Sequence, residues 1–249
     1  MRNSKEYIEI KEEQIPVIIK SYKKSKSVRI YFKEGIMNVT KPVYCPKKEV
    51  IKIIRENEDK ICNEYIKIKE NSDRYFKTFK TGDIFLYAGE EYIIERKENL
   101  DNNFSLEIRI DEDKKRLYIY IPGLKVEEEI LNENIKRLIK KMLRENLKAV
   151  ISKRLEVLSK LTNISYNSFK IIDAKTRFGS CIPKSRNLNF TLRLMMLDIE
   201  KIDAVIIHEL CHIIYPNHSK DFYNLVKKYS PNYDKIDKWL KNNSYKLII

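Results

Sequence analysis

The spacing of hydrophobic residues changes along the chain, and each spacing predicts a different kind of element. Short runs rich in β-branched and aromatic residues are typical of strands. They occur at 15–20, 28–32 and 36–40. From 47 to 68 the apolar residues recur at helical spacing behind Pro46, a residue suited to the start of a helix. The first part therefore predicts a small antiparallel sheet with a helix packed on it.

Strand patterns return further along the chain and are followed by one long helical pattern. The strands are predicted at 84–87, 92–95, 104–110 and 117–121. Beyond Pro122-Gly123, apolar residues follow at spacings of three and four, which predicts one long helix or two over 126–161; an unbroken helix would be about 54 Å long. We expect an α+β fold in which a β-rich N-terminal domain, residues 1–124, is joined by this helix to a second domain, residues 125–249.

Composition and charge narrow the possible surroundings of the protein. The net charge of +14 would suit a nucleic-acid partner, but the basic residues are spread along the chain, and the one cluster, at 20–29, lacks interleaved aromatic residues. The first residues contain no apolar signal segment, and no apolar run is long enough to span a bilayer. Four scattered cysteines suit a reducing compartment. We expect a cytoplasmic protein with no membrane partner and with nucleic acid unsupported.

The histidines carry the chemical signal. The chain has only three, and all lie between His208 and His218. Asp198 can cap a helix that runs on to Tyr215-Pro216, so His208 and His212, four residues apart, project from one side of that helix. Two imidazoles placed in this way can hold one Zn²⁺ at about 2.0 to 2.1 Å. Glu209 lies about a quarter turn away, where its carboxylate can face a zinc-activated water as a general base.

A third ligand has to come from another segment. No glutamate follows Glu209, which excludes a Glu ligand from a later helix, although Asp221, Asp234 or Asp237 could substitute. His218 is the better candidate because Pro216 ends the helix and Asn217 tolerates a turn. The resulting H-E-x-x-H-x₅-H spacing equals that of the metzincins, but Tyr215 replaces their turn glycine and no Met follows Met196, so we exclude that class.

The alternative for H-E-x-x-H is a chance match on the face of a helix. Two observations argue against chance. The third histidine lies at ligand spacing, and the polar pair His208-Glu209 interrupts the apolar run 204–207, where burial without a partner would be costly. Cys211 could also approach a metal, but it is better explained as a small buried thiol. Arg177, Tyr215 and Tyr223 are candidate donors to the oxyanion, each with an equally ordinary structural role.

Four segments together carry a family resemblance. They are Thr176-Arg-Phe-Gly-Ser-Cys181, Asn187-Leu-Asn-Phe-Thr-Leu-Arg-Leu194, Val205-Ile-Ile-His-Glu-Leu-Cys-His212 and Asn217-His-Ser-Lys-Asp-Phe222. The chain resembles the YgjP-like metallopeptidases, relatives of the SprT-type zincins, and the match extends over nearly the whole chain, including Leu86–Tyr92 and Trp239-Leu-Lys241. Phe178 stands where this family usually has a tryptophan.

The resemblance implies a zincin-like catalytic part and a zinc-dependent peptidase. Its ligands map onto His208, His212 and His218, and Glu209 corresponds to the general base. The strand over 187–194 would lie beside the active-site helix and could pair with a peptide substrate by β-augmentation. Arg177, Asn189 and Tyr215 are the candidate substrate-binding residues. Two alternatives stay open, a metal-dependent pyrophosphatase acting on UTP-type nucleotides and a SprT-like protease that works near nucleic acid.

Overall fold

A computed structural model describes the chain at residues 6–33, 35–75, 78–98, 105–123, 126–174 and 177–247. Strands fill much of the N-terminal part, and a long helix is followed by further strands and helices, which confirms the predicted α+β class. Backbone contacts divide the chain into two compact units, Met1–Phe76 and Lys77–Ile249. Residues 124 and 125, where we predicted the domain boundary, lie outside the described residues. The division into domains 1–124 and 125–249 stays a prediction.

The first unit is a mixed sheet rather than the antiparallel sheet predicted. Its strands are β1 (Glu6–Ile10), β2 (Glu13–Tyr22), β3 (Arg29–Lys33) and β4 (Ile36–Pro42), paired in the order β1-β2-β4-β3. Neighbours in sequence form antiparallel hairpins, but β2 and β4 pair in parallel. The prediction was wrong because the β3–β4 hairpin folds back so that β4, not β3, lies next to β2. Strand β1 was not predicted.

Two helices replace the single helix predicted over 47–68. Helix α1 (Lys47–Glu56) begins directly after Pro46, and α2 (Glu58–Tyr75) follows after Asn57. The Asn57 side chain donates to the carbonyl of Ile53 at 2.8 Å, a local bond that competes with continuation of the helix. The buried core of this unit combines inward residues of the sheet with residues of both helices, namely Ile10, Ile15, Val17, Met37, Val39, Val50, Ile54, Ile61 and Cys62.

The second unit opens with the same strand connectivity as the first. Strands β5 (Ile84–Tyr87), β6 (Glu90–Glu98), β7 (Glu107–Asp111) and β8 (Arg116–Ile121) pair in the order β5-β6-β8-β7, again with only the central pair, β6–β8, parallel. The four predicted strands are found, but the third, predicted over 104–110, begins only at Glu107; Phe104 lies outside the described residues. In both units the strands are followed by a helix, so the chain contains a topological repeat.

The long helix α3 (Glu128–Thr162) closely matches the helix predicted over 126–161. One buried residue follows another at intervals of three or four along its length, which gives one continuous apolar stripe: Leu131, Ile135, Ile139, Leu143, Leu147, Ile151, Leu155 and Leu158. Asn163, in the left-handed conformation, ends the helix. None of the helices in the described ranges is both long and apolar enough to cross a membrane.

A small sheet and three helices complete the second unit. The strands are β9 (Ser168–Ile172), β10 (Gly179–Ile182) and β11 (Asn187–Thr191), in the order β10-β11-β9. A 3₁₀ helix over Leu192–Met196 leads to α4 (Ile199–Cys211), α5 (Lys220–Tyr229) and α6 (Tyr233–Asn243), and a short 3₁₀ turn follows over Ser244–Lys246. The strand predicted over 187–194 therefore ends at Thr191, and β9 and β10 were not predicted.

The β5–β6 hairpin supports the start of helix α4. Its turn residues Ala88 and Gly89 have φ angles of 51° and 85°, and their amides donate to the carbonyls of Met195 and Met196 at 2.8 and 3.2 Å. A Cβ atom on Gly89 would lie 2.7 Å from the Cβ of Asp198 and 2.8 Å from its backbone nitrogen. Asp198 caps α4, as predicted, by accepting from the amide of Lys201 at 3.0 Å.

Replacing Gly89 by alanine is expected to destabilise the second unit through this contact. The matched control is Gly82→Ala, because Gly82 also has a positive φ of 96° but has open space where its Cβ would lie. Both variants incur backbone strain, while only Gly89→Ala also overpacks the turn against Asp198, which should cost about 1–3 kcal/mol more. Urea unfolding measures the difference, and equal losses in the two variants would show that the contact contributes nothing.

Candidate metal centre

Three imidazoles converge near the end of helix α4. His208 lies in the last turn of that helix, His212 follows it as the C-cap residue, and His218 comes from the turn before α5. The Nε2 atom of His208 lies 3.1 Å from that of His212 and 3.2 Å from that of His218. Among the described residues, these form the one group of potential ligands found within 4.8 Å of one another.

The other ring nitrogens of the two helical histidines have separate partners. Nδ1 of His212 lies 3.1 Å from the carbonyl oxygen of Tyr215. A carbonyl can only accept, so the proton of a neutral His212 sits on Nδ1 and the Nε2 lone pair is free. Nδ1 of His208 lies 2.7 Å from the hydroxyl of Tyr233, a buried residue at the start of α6. These contacts orient both Nε2 atoms towards the common centre.

A buried phenylalanine holds the three rings together. The ring centroid of Phe222 lies 4.9, 4.4 and 5.0 Å from the centroids of His208, His212 and His218. Phe222 sits in the first turn of α5, whose N-cap residue Ser219 accepts from its amide at 3.2 Å. The start of α5 is thereby fixed against the histidines, and His218, just before it, is kept within reach of α4.

Burial favours the neutral form of the helical histidines. Burial and, to a smaller extent, the positive charges that His212 and His218 would carry together lower the pKa of His208 to about 3. The pKa of His212 is also lowered, mainly by burial, although its bond to Tyr215 acts in the opposite direction. Because a metal binds the unprotonated imidazole, these surroundings keep the two rings in their ligand form at neutral pH.

Glu209 lies beside the histidines, and its buried carboxylate is not fully hydrogen-bonded. Its residue is 5% exposed, and its Oε2 atom has no hydrogen-bond partner within the described part of the chain. Burial raises the pKa of this carboxyl to about 8, and the charge of Arg177 opposes that rise. An unsatisfied buried carboxylate is costly, which makes Glu209 a candidate functional residue.

Strand β10 makes room for Glu209. A Cβ atom on Gly179 would lie 2.5 Å from Oε1 of Glu209 and 2.7 Å from its Cγ, so only glycine lets the strand pack directly on this side chain. Before the strand, Thr176 of the sequence motif lies outside the described residues. The motif residues 177–181 thus include a strand that touches the catalytic candidate, which sequence reasoning left open between a pocket lining and a tight turn.

The prediction that a peptide pairs with the strand at 187–194 was wrong. Strand β11 is flanked by β10 on one side and β9 on the other, so its edges are already paired. Within the described sheet, β10 is the outer strand. The amide of Thr191 donates to the carbonyl of Phe178 at 2.9 Å, so these two residues form a hydrogen-bonded pair of the antiparallel ladder. Along such a strand, every second residue forms hydrogen bonds with the partner strand. The amide and carbonyl groups of Gly179 and Cys181 therefore point away from β11.

The other candidate residues differ in whether they line the site and in what they contact. Arg177 lines a cavity of about 180 Å³ together with His208 and Glu209. The Asn189 side chain donates to the hydroxyl of Ser180 at 3.2 Å and does not line that cavity, and Tyr215 contributes its backbone carbonyl to His212. The ring of Tyr223 stacks on that of His218 with 5.9 Å between centroids.

The other residues considered as metal ligands form ion pairs, are exposed or are buried in the core. Asp234 pairs with Lys227 at 2.7 Å and Asp237 with Lys241 at 2.5 Å, while Asp221 is exposed in the first turn of α5. Cys211 is fully buried, and burial raises the pKa of its thiol to about 12, which suits the predicted structural role. Helix α4 ends at Cys211, one turn before the predicted end at Tyr215-Pro216, and the amides of Ile213 and Ile214 donate to carbonyls three residues back, at 3.0 and 3.1 Å, so the last turn tightens.

A family model for the YgjP-like metallopeptidase domain matches residues 24–243. The chain belongs to the YgjP-like family. This membership identifies it as a metal-dependent peptidase, a hydrolase acting on peptide or protein substrates. The family match covers both compact units, since it starts within the first and reaches the last turn of α6.

Parts of this YgjP-like chain are also similar to two solved structures. The first is the metallopeptidase zymogen of Pyrococcus abyssi abylysin, with 21% identity over 36% of this chain and 92% of that chain, and a TM-score of 0.34. The second is the zymogen of Methanocaldococcus jannaschii jannalysin, with 26% identity over 41% of this chain and 96% of that chain, and a TM-score of 0.32. No curated protein matches the chain.

The close contact between β10 and Glu209 gives a direct test of the site. Gly179→Ala should displace the Glu209 side chain, because the added methyl group and the carboxylate cannot occupy the same space. We expect peptidase activity to fall about 100-fold, as for other small misplacements of a reacting group. Gly123→Ala is the control, because a Cβ there meets open space. Full activity in Gly179→Ala would contradict a role for the present position of Glu209.

Proposed function

We propose that this YgjP-like protein is a zinc peptidase in which His208, His212 and His218 hold the metal and Glu209 is the general base. The observation that carries the proposal is the convergence of three Nε2 atoms beside a buried carboxylate whose Oε2 lacks a partner. Three neutral imidazoles form a ligand set typical of catalytic zinc.

The geometry of the three nitrogens fits one tetrahedral ion. Ligand atoms about 2.0–2.1 Å from a tetrahedral centre lie about 3.3 Å from one another. The two Nε2–Nε2 distances of 3.1 and 3.2 Å are close to this separation. When bound, Zn²⁺ supplies the Lewis acidity that makes a water molecule nucleophilic at neutral pH and polarises a carbonyl group.

Glu209 is placed to carry the proton during hydrolysis. Its Oε2 atom would accept a proton from the attacking water and pass it to the nitrogen of the leaving amine. Burial raises the pKa of this carboxyl in the metal-free protein, and a divalent cation held by the three histidines would lower that pKa and favour the charged form that accepts the proton.

A peptide substrate can be bound along the outer edge of β10. The main-chain groups of Gly179 and Cys181 point outwards, and an extended peptide could pair with them by β-augmentation. Gly179 lies on Glu209, so a peptide on this edge would pass close to the carboxylate. Strand β10 thus takes the substrate-binding role that the sequence analysis gave to β11.

The charges around the site favour a peptide over a nucleoside triphosphate. Arg177 is the only lysine or arginine among the described residues that line the cavity, and Glu209 and Asp237 line it as well. A triphosphate carries several negative charges, and the sites that cleave one provide several cations to receive them. The basic cluster at 20–29 belongs to the first unit, whereas the residues that line the cavity belong to the second.

Two variants test the proposed roles separately. Glu209→Gln should keep about one zinc per chain and lose hydrolysis by roughly 100-fold or more, since it removes the base and preserves the ligands. His218→Ala should lose zinc, because the remaining two histidines provide an incomplete site. Metal content by mass spectrometry and cleavage of an unfolded protein, of short peptides and of UTP give the readouts.

Each outcome bears on one assignment. Unchanged cleavage by Glu209→Gln would exclude Glu209 as the base, and unchanged zinc content in His218→Ala would exclude the three-histidine site. Hydrolysis of UTP without hydrolysis of any peptide would overturn the proposed substrate.

The hydrogen bond between Tyr233 and His208 should strengthen zinc binding. Tyr233→Phe removes the acceptor that holds the Nδ1 proton of His208, and loss of such an outer partner costs about 10- to 100-fold in metal affinity. Tyr229→Phe is the matched control, because its hydroxyl bonds to the carbonyl of Thr162, away from the histidines. Competition with a chromophoric chelator measures both affinities, and equal values would contradict the positioning role of Tyr233.

A further inference from the structure

The cavity beside the histidines extends beyond the proposed metal site. From His208 and Glu209 it continues along α4 to Ala204 and Val205, one turn closer to the start of that helix. Helix α6 forms the opposite wall through Tyr233, Asp237 and Leu240, and residues 177–179 contribute the third side. A substrate bond held at Glu209 would therefore have this space directly next to it.

The depth of the cavity is mostly hydrocarbon. Ala204, Val205 and Leu240 are 1%, 7% and 7% exposed, and the half-buried ring of Phe178 completes an apolar surface. Charge is present towards the outside, where Arg177 is exposed and Asp237 is paired with Lys241. A charged side chain that reaches the part lined by Ala204, Val205 and Leu240 would lose its hydration, and the side chains of these three residues cannot form hydrogen bonds with it.

The wall formed by Phe178 is held in place from behind. The guanidinium of Arg193 lies 4.6 Å from the centre of the Phe178 ring and donates to the carbonyls of Leu247 and Ser244 at 2.9 and 2.6 Å. Arg193 is itself buried, at 8% exposure. This packing supports the Phe178 ring on the side of Arg193 and limits how far that wall of the cavity can move.

We propose that this cavity binds the side chain of a residue flanking the cleaved bond and selects for leucine, methionine or phenylalanine. The inference rests on the proposed peptidase function and adds the class of substrate. The volume of about 180 Å³ is comparable with the ~150 Å³ apolar cavity that takes up benzene, so it accommodates a side chain of this size. Small residues would leave the apolar walls unfilled.

The test uses peptides that differ only at the two positions flanking one cleavable bond, with the cleavage site mapped by mass spectrometry. For wild-type protein with zinc, kcat/KM should be on the order of 10- to 100-fold higher with leucine, methionine or phenylalanine than with glycine at one of these positions. Val205→Ala enlarges the cavity and should shift the preference towards phenylalanine and tryptophan. Val205→Phe fills it and should shift the preference towards glycine and alanine.

Val226→Ala is the matched control, because Val226 is also a buried valine in a helix but does not line the cavity. It should leave the preference unchanged even if it lowers stability. Peptide cleavage without an apolar preference, or a preference that both Val205 variants leave unaltered, would overturn this inference and leave the proposed function standing. Cleavage of no peptide at all would overturn both.

Discussion

Helix α4 must be buried on most of its surface and still present polar groups to a solvent-accessible cavity. Its apolar residues pack into the core of the second unit, where Ile206 and Leu210 are fully buried. On the side of α3, the guanidinium of Arg154 bonds both carboxylate oxygens of Asp203 at 2.7 and 2.6 Å. The histidines and Glu209 fit into this buried environment because residues outside α4 accommodate them: Tyr233 forms a hydrogen bond with His208, and Gly179 leaves space for Glu209.

Those groups come from distant parts of the sequence, which explains what could and could not be predicted. The zinc-ligand candidates lie within eleven residues, and their helical spacing is visible in the sequence. Gly179 and Tyr233 are about 25 to 30 residues away, and they reach His208 and Glu209 through tertiary packing. A glycine or a tyrosine carries no signal of the residue it will contact, so both contacts were missed.

The same distinction applies to the fold. The long helix α3 was predicted closely because each buried residue is local to the next, while β10, with the sequence Gly-Ser-Cys-Ile, has no alternation of apolar and polar residues to mark it. Partner choice in a sheet is also invisible to periodicity, so the parallel pairs β2–β4 and β6–β8 could not be read from the strands. The repeated connectivity of the two units depends on these parallel pairs, so it could not be predicted either.

Two buried side-chain oxygens in the described residues lack a partner, Oε2 of Glu209 and Oγ1 of Thr191, and nothing in the structure explains the second. For Glu209 the cost has a physical rationale. Leaving a buried acceptor unpaired costs about 1–3 kcal/mol, more if it is charged, and a structural carboxylate would be expected to acquire a donor. Gly179 instead brings bare backbone against Oε1 and Cγ of this side chain, and Oε2 is left without a donor. A buried acceptor left unpaired in this way is expected of a group that accepts a proton rather than of a purely structural carboxylate.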